Sequence, residues 1–239
     1  MSRMAVTRTL AAITGVLFVT HAISELTNRA ESLFHLGNEG TLPTVYSTFL
    51  LLFSAGLLAV IGQVLHTGGQ RSSRYWFGLA AVFTFLAVDE AAEIHERIIE
   101  PLRSATDATG LLYYTWVIPY AIALLALVVL YARFLLDLPR QTGIGFIMAG
   151  AVYVFGAVVV ESLTGLVISS NDGAIGPVYR ALQGAEEVLE IVGIIIFIDV
   201  LLAFIETDMG GVDLRLARPA GDESGARLEA SDGEATGRW

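Results

Sequence analysis

The chain alternates long apolar stretches with short polar breaks. Six stretches approach or exceed the roughly 20 apolar residues that a membrane-crossing helix needs: 9–27, 44–66, 74–95, 112–136, 142–168 and 179–206. The breaks carry turn chemistry, as in "GNEGTLP" at 37–43, "HTGGQRSS" at 66–73 and "SSNDGAIGP" at 169–177. Pro43 and Pro177 stand where a helix would begin, a position that tolerates a missing N–H. The breaks are short, so consecutive helices are expected to run antiparallel. The pattern predicts an all-α, polytopic membrane helix bundle with six transmembrane helices. The first stretch has no A-x-A-like cleavage site after it and is read as a retained helix rather than a signal peptide. Residues 1–206 form the bundle in this reading. Residues 207–239 are polar and acidic, and read as a disordered cytoplasmic tail.

Composition strengthens this picture. Of 239 residues, 54% are hydrophobic, and the mean hydropathy is +0.65, well above an ordinary soluble domain. The net charge is −10, which argues against nucleic acid as a partner. All 14 basic residues are arginine. Six helices put both termini on one side. That side then carries ten arginines (four of them in the tail) and the other carries Arg29, Arg97, Arg103 and Arg180. The excess places both termini in the cytoplasm and the protein in the cell membrane. With no cysteine, thiolate metal sites, disulfides and cysteine nucleophiles are excluded.

The polar residues inside the stretches are unevenly placed. Counting at 1.5 Å per residue from the arginine-rich side, His21, Glu25, Asp89, Glu161, Glu186 and Glu190 all fall about 20–30 Å up. The opposite half has only Asp199 within a helix. At 100° per residue, Asp89, Glu93, Glu96 and Glu100 share a stripe about 60° wide, with Glu90 at its edge. Gln183, Glu186 and Glu190 share another, with Glu187 beside it. His21 and Glu25 are i and i+4 on one face. His95 points away from the Asp89–Glu96 stripe if the helix is regular. Carboxylates crowded at one depth repel, so a cation, shared protons or the few arginines must neutralise them. Carboxylates and imidazole on packed helices resemble the ligand sets of di-iron or di-manganese bundles, and zinc is a further option. The E-x-x-H pairs of those bundles are missing, and a purely structural acid cluster stays open. Tyr75, Trp76, Tyr113, Tyr114 and Trp116 fall at the expected interfaces and read as belt anchors.

The segment "FLAVDEAAEIHE" resembles the D-E-x-x-x-x-H-E core of an uncharacterised, haloarchaeal-like family of prokaryotic multi-pass membrane proteins. "FHLGNEGTLPTVYS" and "EEVLEIVG" are similar to that family's pattern too. The resemblance implies a signature of Glu39, Asp89, Glu90, His95, Glu96, Glu186, Glu187 and Glu190, and supplies no activity. It brings His95 into the site, which a break in the helix near Glu93 would allow. The candidate metal set is therefore His21, Glu25, Asp89, Glu90, His95, Glu96, Glu161, Glu186, Glu187 and Glu190, with Fe, Mn or Zn as the ion. The expected function is a metal-dependent membrane hydrolase or oxidoreductase acting on a lipid-like substrate. The alternatives are a cation- or proton-coupled transporter or channel, and a non-catalytic scaffold subunit.

Overall fold

A computed structural model describes residues 2–26 and 41–210, with side chains described for 2–24 and 41–210. The side chain of Glu25, the loop residue Glu39 and residues 211–239 of the expected tail lie outside the described residues. The helices are α1 (Arg3–Leu26), α2 (Leu42–Thr67), α3 (Ser73–Ala92), α4 (Ile94–Arg97), α5 (Ile99–Thr106), α6 (Val117–Asp137), α7 (Arg140–Val154), α8 (Glu161–Ser170) and α9 (Pro177–Thr207). A π-helix, Phe155–Val160, joins α7 to α8. Six helical stretches are long and apolar enough to cross a membrane: α1, α2, α3, α6, α9 and the run from α7 through α8. Both prolines stand in the first turn of α2 and α9, as expected.

The first stretch begins at Arg3 rather than 9, and three later features also differ from the sequence reading. The third stretch ends at Ala92 rather than 95, because Glu93 leaves helical geometry. The fourth begins at Val117, after a 3-10 turn at Gly110–Leu112. The fifth is interrupted by the π-helix. Hydropathy averages over such breaks, since they change the backbone and not the polarity.

Two packed pairs make the frame, α2 against α3 and α7 against α9, with α1 laid along α9. For helices of membrane length, where lipid tails would be as apolar as leucine, such packing rests on close van der Waals contact. Gly193 shows how close. A Cβ there would lie 2.8 Å from the Tyr153 backbone nitrogen and 3.0 Å from the Ala149 carbonyl oxygen. Both are backbone atoms, so α7 and α9 would have to separate. Gly193→Ala is expected to cost about 1–3 kcal/mol of stability. Gly150→Ala, where a Cβ meets nothing within 4 Å, should be neutral or slightly stabilising. Thermal unfolding in detergent checks the pair, and equal midpoints for the two variants would refute the account.

α1 and α9 are clasped at one end. The Arg3 guanidinium donates to Asp199, with Nε 2.9 Å from Oδ1. Thr7 Oγ1 donates to the same oxygen at 2.7 Å, and the Arg3 backbone N–H donates to Glu206 at 3.2 Å. Both described chain ends therefore sit at one end of the bundle, and Asp199 is fully engaged there. Above the clasp, Trp76 is 1% exposed among Phe134, Phe146 and Phe204. The placement of Trp76 in a core corrects its reading as a belt anchor. An indole that tight against three phenyl rings has no water or headgroup to reach.

α6 stands apart from this frame. Only 11% of its most apolar window is buried, against 44% for α9. Val129, Leu130 and Leu136 are 69%, 70% and 84% exposed, a surface suited to lipid.

Candidate functional site

The far end of α3 builds the first part of the site. The apolar run reaches Asp89 and Glu90, and Glu93 then adopts the left-handed region at φ 53°, ψ 42°. An L-residue with a Cβ pays about 1–2 kcal/mol for that conformation. The turn folds α4 back so that the His95 backbone N–H donates to Asp89 Oδ1 at 2.9 Å. The His95 ring Nδ1 lies 3.3 Å from Asp89 Oδ2. Asp89 thus satisfies an otherwise orphaned N–H in the first turn of α4 and orients the imidazole. Burial opposes charge on His95, but the Asp89 bond and the fields of Asp89, Glu161 and Glu96 outweigh it, and its pKa is raised to about 9. Trp116 and Tyr120 frame the ring, their centroids 5.1 and 6.5 Å away.

Glu93→Gly should relieve the left-handed strain and raise stability by about 1 kcal/mol. Glu93→Val should lower it, because a β-branched residue fits that region least. Both are read from the unfolding midpoint; a stabilising valine would contradict the role given to the break.

The second part comes from the π-helix. Its wider turn shifts the helical register just before Glu161. Glu161 is 9% exposed, and Oε1 accepts from Trp116 Nε1–H at 2.8 Å. Gly156, inside the π-helix, lets this segment close on α9. A Cβ there would lie 3.0 Å from the Glu186 carbonyl oxygen and 3.3 Å from Glu190 Cγ. The third part is the face of α9. Gln183, Glu186, Glu187 and Glu190 follow the i, i+3, i+4, i+7 spacing that keeps them on one side. Ser47 of α2 donates a hydrogen bond to Glu90. The hydroxyls of Tyr114 and Tyr179 are 3.1 Å apart. Burial first, and then the Tyr179 bond and the fields of Glu161 and Glu186, push the Tyr114 pKa up, so it stays a neutral phenol.

These groups meet in one cavity of about 870 Å3. It exists because α6 stands off from α3, α7 and α9. One end is polar and holds seven carboxylates: Asp89, Glu90, Glu96, Glu161, Glu186, Glu187 and Glu190. The rest is an apolar shaft, with walls from Leu79 and Phe83 of α3, Leu124 and Leu127 of α6, Phe146 of α7 and Phe197 of α9. A volume near the top of the usual ligand range, apolar with convergent polar groups at one end, suits an amphiphile.

Of the sequence-derived candidates, Asp89, Glu90, His95, Glu96, Glu161, Glu186, Glu187 and Glu190 all line this cavity. His21 is buried but is not among the lining residues. Its ring packs on α9, with Nε2 2.9 Å from where a Cβ on Gly184 would stand. Among the described residues, no three His, Asp or Glu side chains are grouped closely enough to hold a metal ion. The acids share a chamber rather than a ready coordination shell. Sequence reasoning missed Ser47, Tyr120, Tyr153 and Tyr179. It also read Tyr114 and Trp116 as belt anchors, which the structure corrects: both line the cavity, and each bonds a cavity residue. Their signal is weak in sequence, since a cavity aromatic near a helix end has the same address as a lipid anchor.

A family model described as "Domain of unknown function (DUF8692)" matches residues 8–205. No curated protein and no solved structure matches the chain.

Proposed function

The chain belongs to the DUF8692 family, and on that premise we propose that it is an integral membrane enzyme acting on the polar end of a lipid-like amphiphile. The observation that carries the reading is the cavity, with its apolar shaft beside the loosely packed α6 and its head of acids and imidazole. The apolar tail of a substrate lies along the shaft, reached sideways past α6, and its polar end reaches the acids. Both termini are on the cytoplasmic side in this reading, so the head opens toward the outer leaflet.

The carboxylates need a counter-charge. Glu190 stands in the fields of Glu187, Glu186, Glu90 and Glu161. Glu90 of α3 and Glu190 of α9 are the residues that would hold a divalent cation, which would supply that counter-charge. An all-carboxylate donor set would suit a hard ion such as Mn2+ better than zinc. His95, oriented by Asp89, is placed to move a proton. Hydrolysis fits this set without a redox partner: water adds its oxygen to the headgroup centre, the ester C–O or P–O bond breaks, and the proton goes to the leaving oxygen. The transporter alternative needs a polar path through the other half of the bundle. In that half, Asp199 is held by Arg3 and Thr7, and Glu206 and Asp137 stand at the helix ends.

The test is gentle, chelator-free purification into nanodiscs, followed by metal analysis and mass spectrometry of bound lipid. Wild type should carry a divalent ion and a co-purifying amphiphile. Leu127→Trp, which fills the shaft from α6, should lose the amphiphile and keep the ion. Glu190→Gln should lose the ion at least about tenfold, and its unfolding midpoint should fall to that of chelator-treated wild type, because the stabilisation given by the bound ion is gone. A wild type with neither ion nor amphiphile overturns the reading.

A further inference from the structure

At the bundle end that carries both described chain ends, opposite the acids, lies a second pocket of about 310 Å3. The turn between α2 and α3 and the last turn of α6 enclose it. Its walls include Arg71, Arg74 and Arg133, with Tyr75, Phe134 and Asp137. Three guanidinium groups face one carboxylate, a local charge of +3 − 1 = +2 in a chain of net charge −10. Among the described residues, Arg3 and Arg103 pair with acids, whereas no ion pair joins Arg71, Arg74 or Arg133 to a carboxylate. Asp137, one turn from Arg133, does not close on it.

The pocket is partly preset. Arg74 Nη2 donates to the Tyr75 hydroxyl at 3.3 Å, and its guanidinium lies 4.9 Å over that ring. Tyr75 is held in turn by stacking on Phe134 at 5.0 Å and by its carbonyl, which accepts from the Tyr131 hydroxyl at 3.2 Å. A planar guanidinium fixed in this way suits the oxygens of a phosphate.

The surface beside the pocket says where the phosphate comes from. Val129, Leu130 and Leu136 stand at i−4, i−3 and i+3 from Arg133, on the same side of α6, and Ile122 continues the row. They are 69%, 70%, 84% and 66% exposed. A polar pocket at the end of three membrane-length helices, continuous with an apolar strip along one of them, matches a headgroup with its acyl chains. We infer that this pocket binds the phosphate headgroup of an anionic phospholipid, with the acyl chains lying along the outer face of α6. Basic pockets between helices at the membrane surface recognise such headgroups by charge and shape. The site is separate from the acidic cavity and does not depend on what that cavity does.

The experiment uses the full chain in phosphatidylcholine nanodiscs, with and without part of the lipid replaced by phosphatidylglycerol. Native mass spectrometry reads the phosphatidylglycerol retained, and a thermal scan reads the unfolding midpoint. Wild type should retain phosphatidylglycerol and unfold at a higher temperature with it. Arg71→Gln and Arg133→Gln should each cut retention by about fivefold. Their midpoints in pure phosphatidylcholine should match wild type, because both side chains are exposed. Arg103→Gln, at the other end of the bundle, should behave as wild type. Undiminished retention by the Arg71→Gln/Arg133→Gln double variant overturns the inference. So does inorganic phosphate in neutral discs raising the midpoint as phosphatidylglycerol does, since a soluble anion would then be the ligand.

Discussion

Asp89→Ala is expected to lower the unfolding free energy by about 3–5 kcal/mol, the range for removing one partner of a buried ion pair. The Asp89 side chain is 8% exposed and His95 21%, so solvent screens the pair little. The substitution removes the acceptor of the His95 backbone N–H and the partner of its ring together. It also leaves the left-handed turn at Glu93 without the bond that offsets its strain. Asp89→Asn separates these losses: the amide oxygen still accepts from the backbone N–H, but the charge is gone, so an intermediate loss is expected.

The pH profile identifies the charge term. His95 has a folded pKa of about 9, above the roughly 6.5 of an unfolded histidine. A raised histidine pKa contributes stability that is fully present below about 6.5 and is lost as pH rises through about 9. Wild type should therefore weaken between these limits, and both Asp89 variants should weaken less. Unfolding midpoints followed by tryptophan fluorescence across that window check it. Parallel profiles for wild type and Asp89→Asn would rule out the ion pair as a stabilising element.

The second large effect is expected from Trp76→Ala, at about 3–5 kcal/mol. The indole stacks on Phe204 at 4.9 Å and meets Phe134 and Phe146 edge-on at 5.5 and 6.0 Å. Phe134 belongs to α6, which otherwise touches the bundle little. Losing Trp76 removes part of the packing that holds α6 at its terminal end and leaves the Tyr75 contacts with Tyr131 and Phe134, so the cavity wall should loosen as well as the core. In this cysteine-free chain, a single Leu127→Cys reports on that wall. Its maleimide reaction should be faster in the Trp76→Ala background under folding conditions. An unchanged rate with a lowered midpoint would mean that Trp76 supports the core alone.

The six long helices, their prolines and their order were legible in the sequence because apolar length and turn composition are local properties. The gathering of Asp89, Glu96, Glu161, Glu186 and Glu190 at one end was legible too. Depth follows from counting residues along antiparallel helices, and counting survives small errors in boundaries. Direction around a helix axis does not survive them. His95 faces its site only because Glu93 leaves the α region, and Glu161 follows a π-helix. Both irregularities cost local energy that contacts with other helices repay, so the local pattern contains no term that announces them. The same holds for Trp116 and Tyr114, which address acids and phenols across the bundle, and for His21, whose neighbour is a glycine on α9. The cavity itself arises from the stand-off of α6. Its sequence is apolar throughout, as those of the more buried helices are, and only the fit of its neighbours decides that it borders the shaft. What the sequence determined by itself was which residues form the membrane-length helices and at what height along them. Which of them face one another was decided by packing, because that depends on close contact between side chains far apart along the chain.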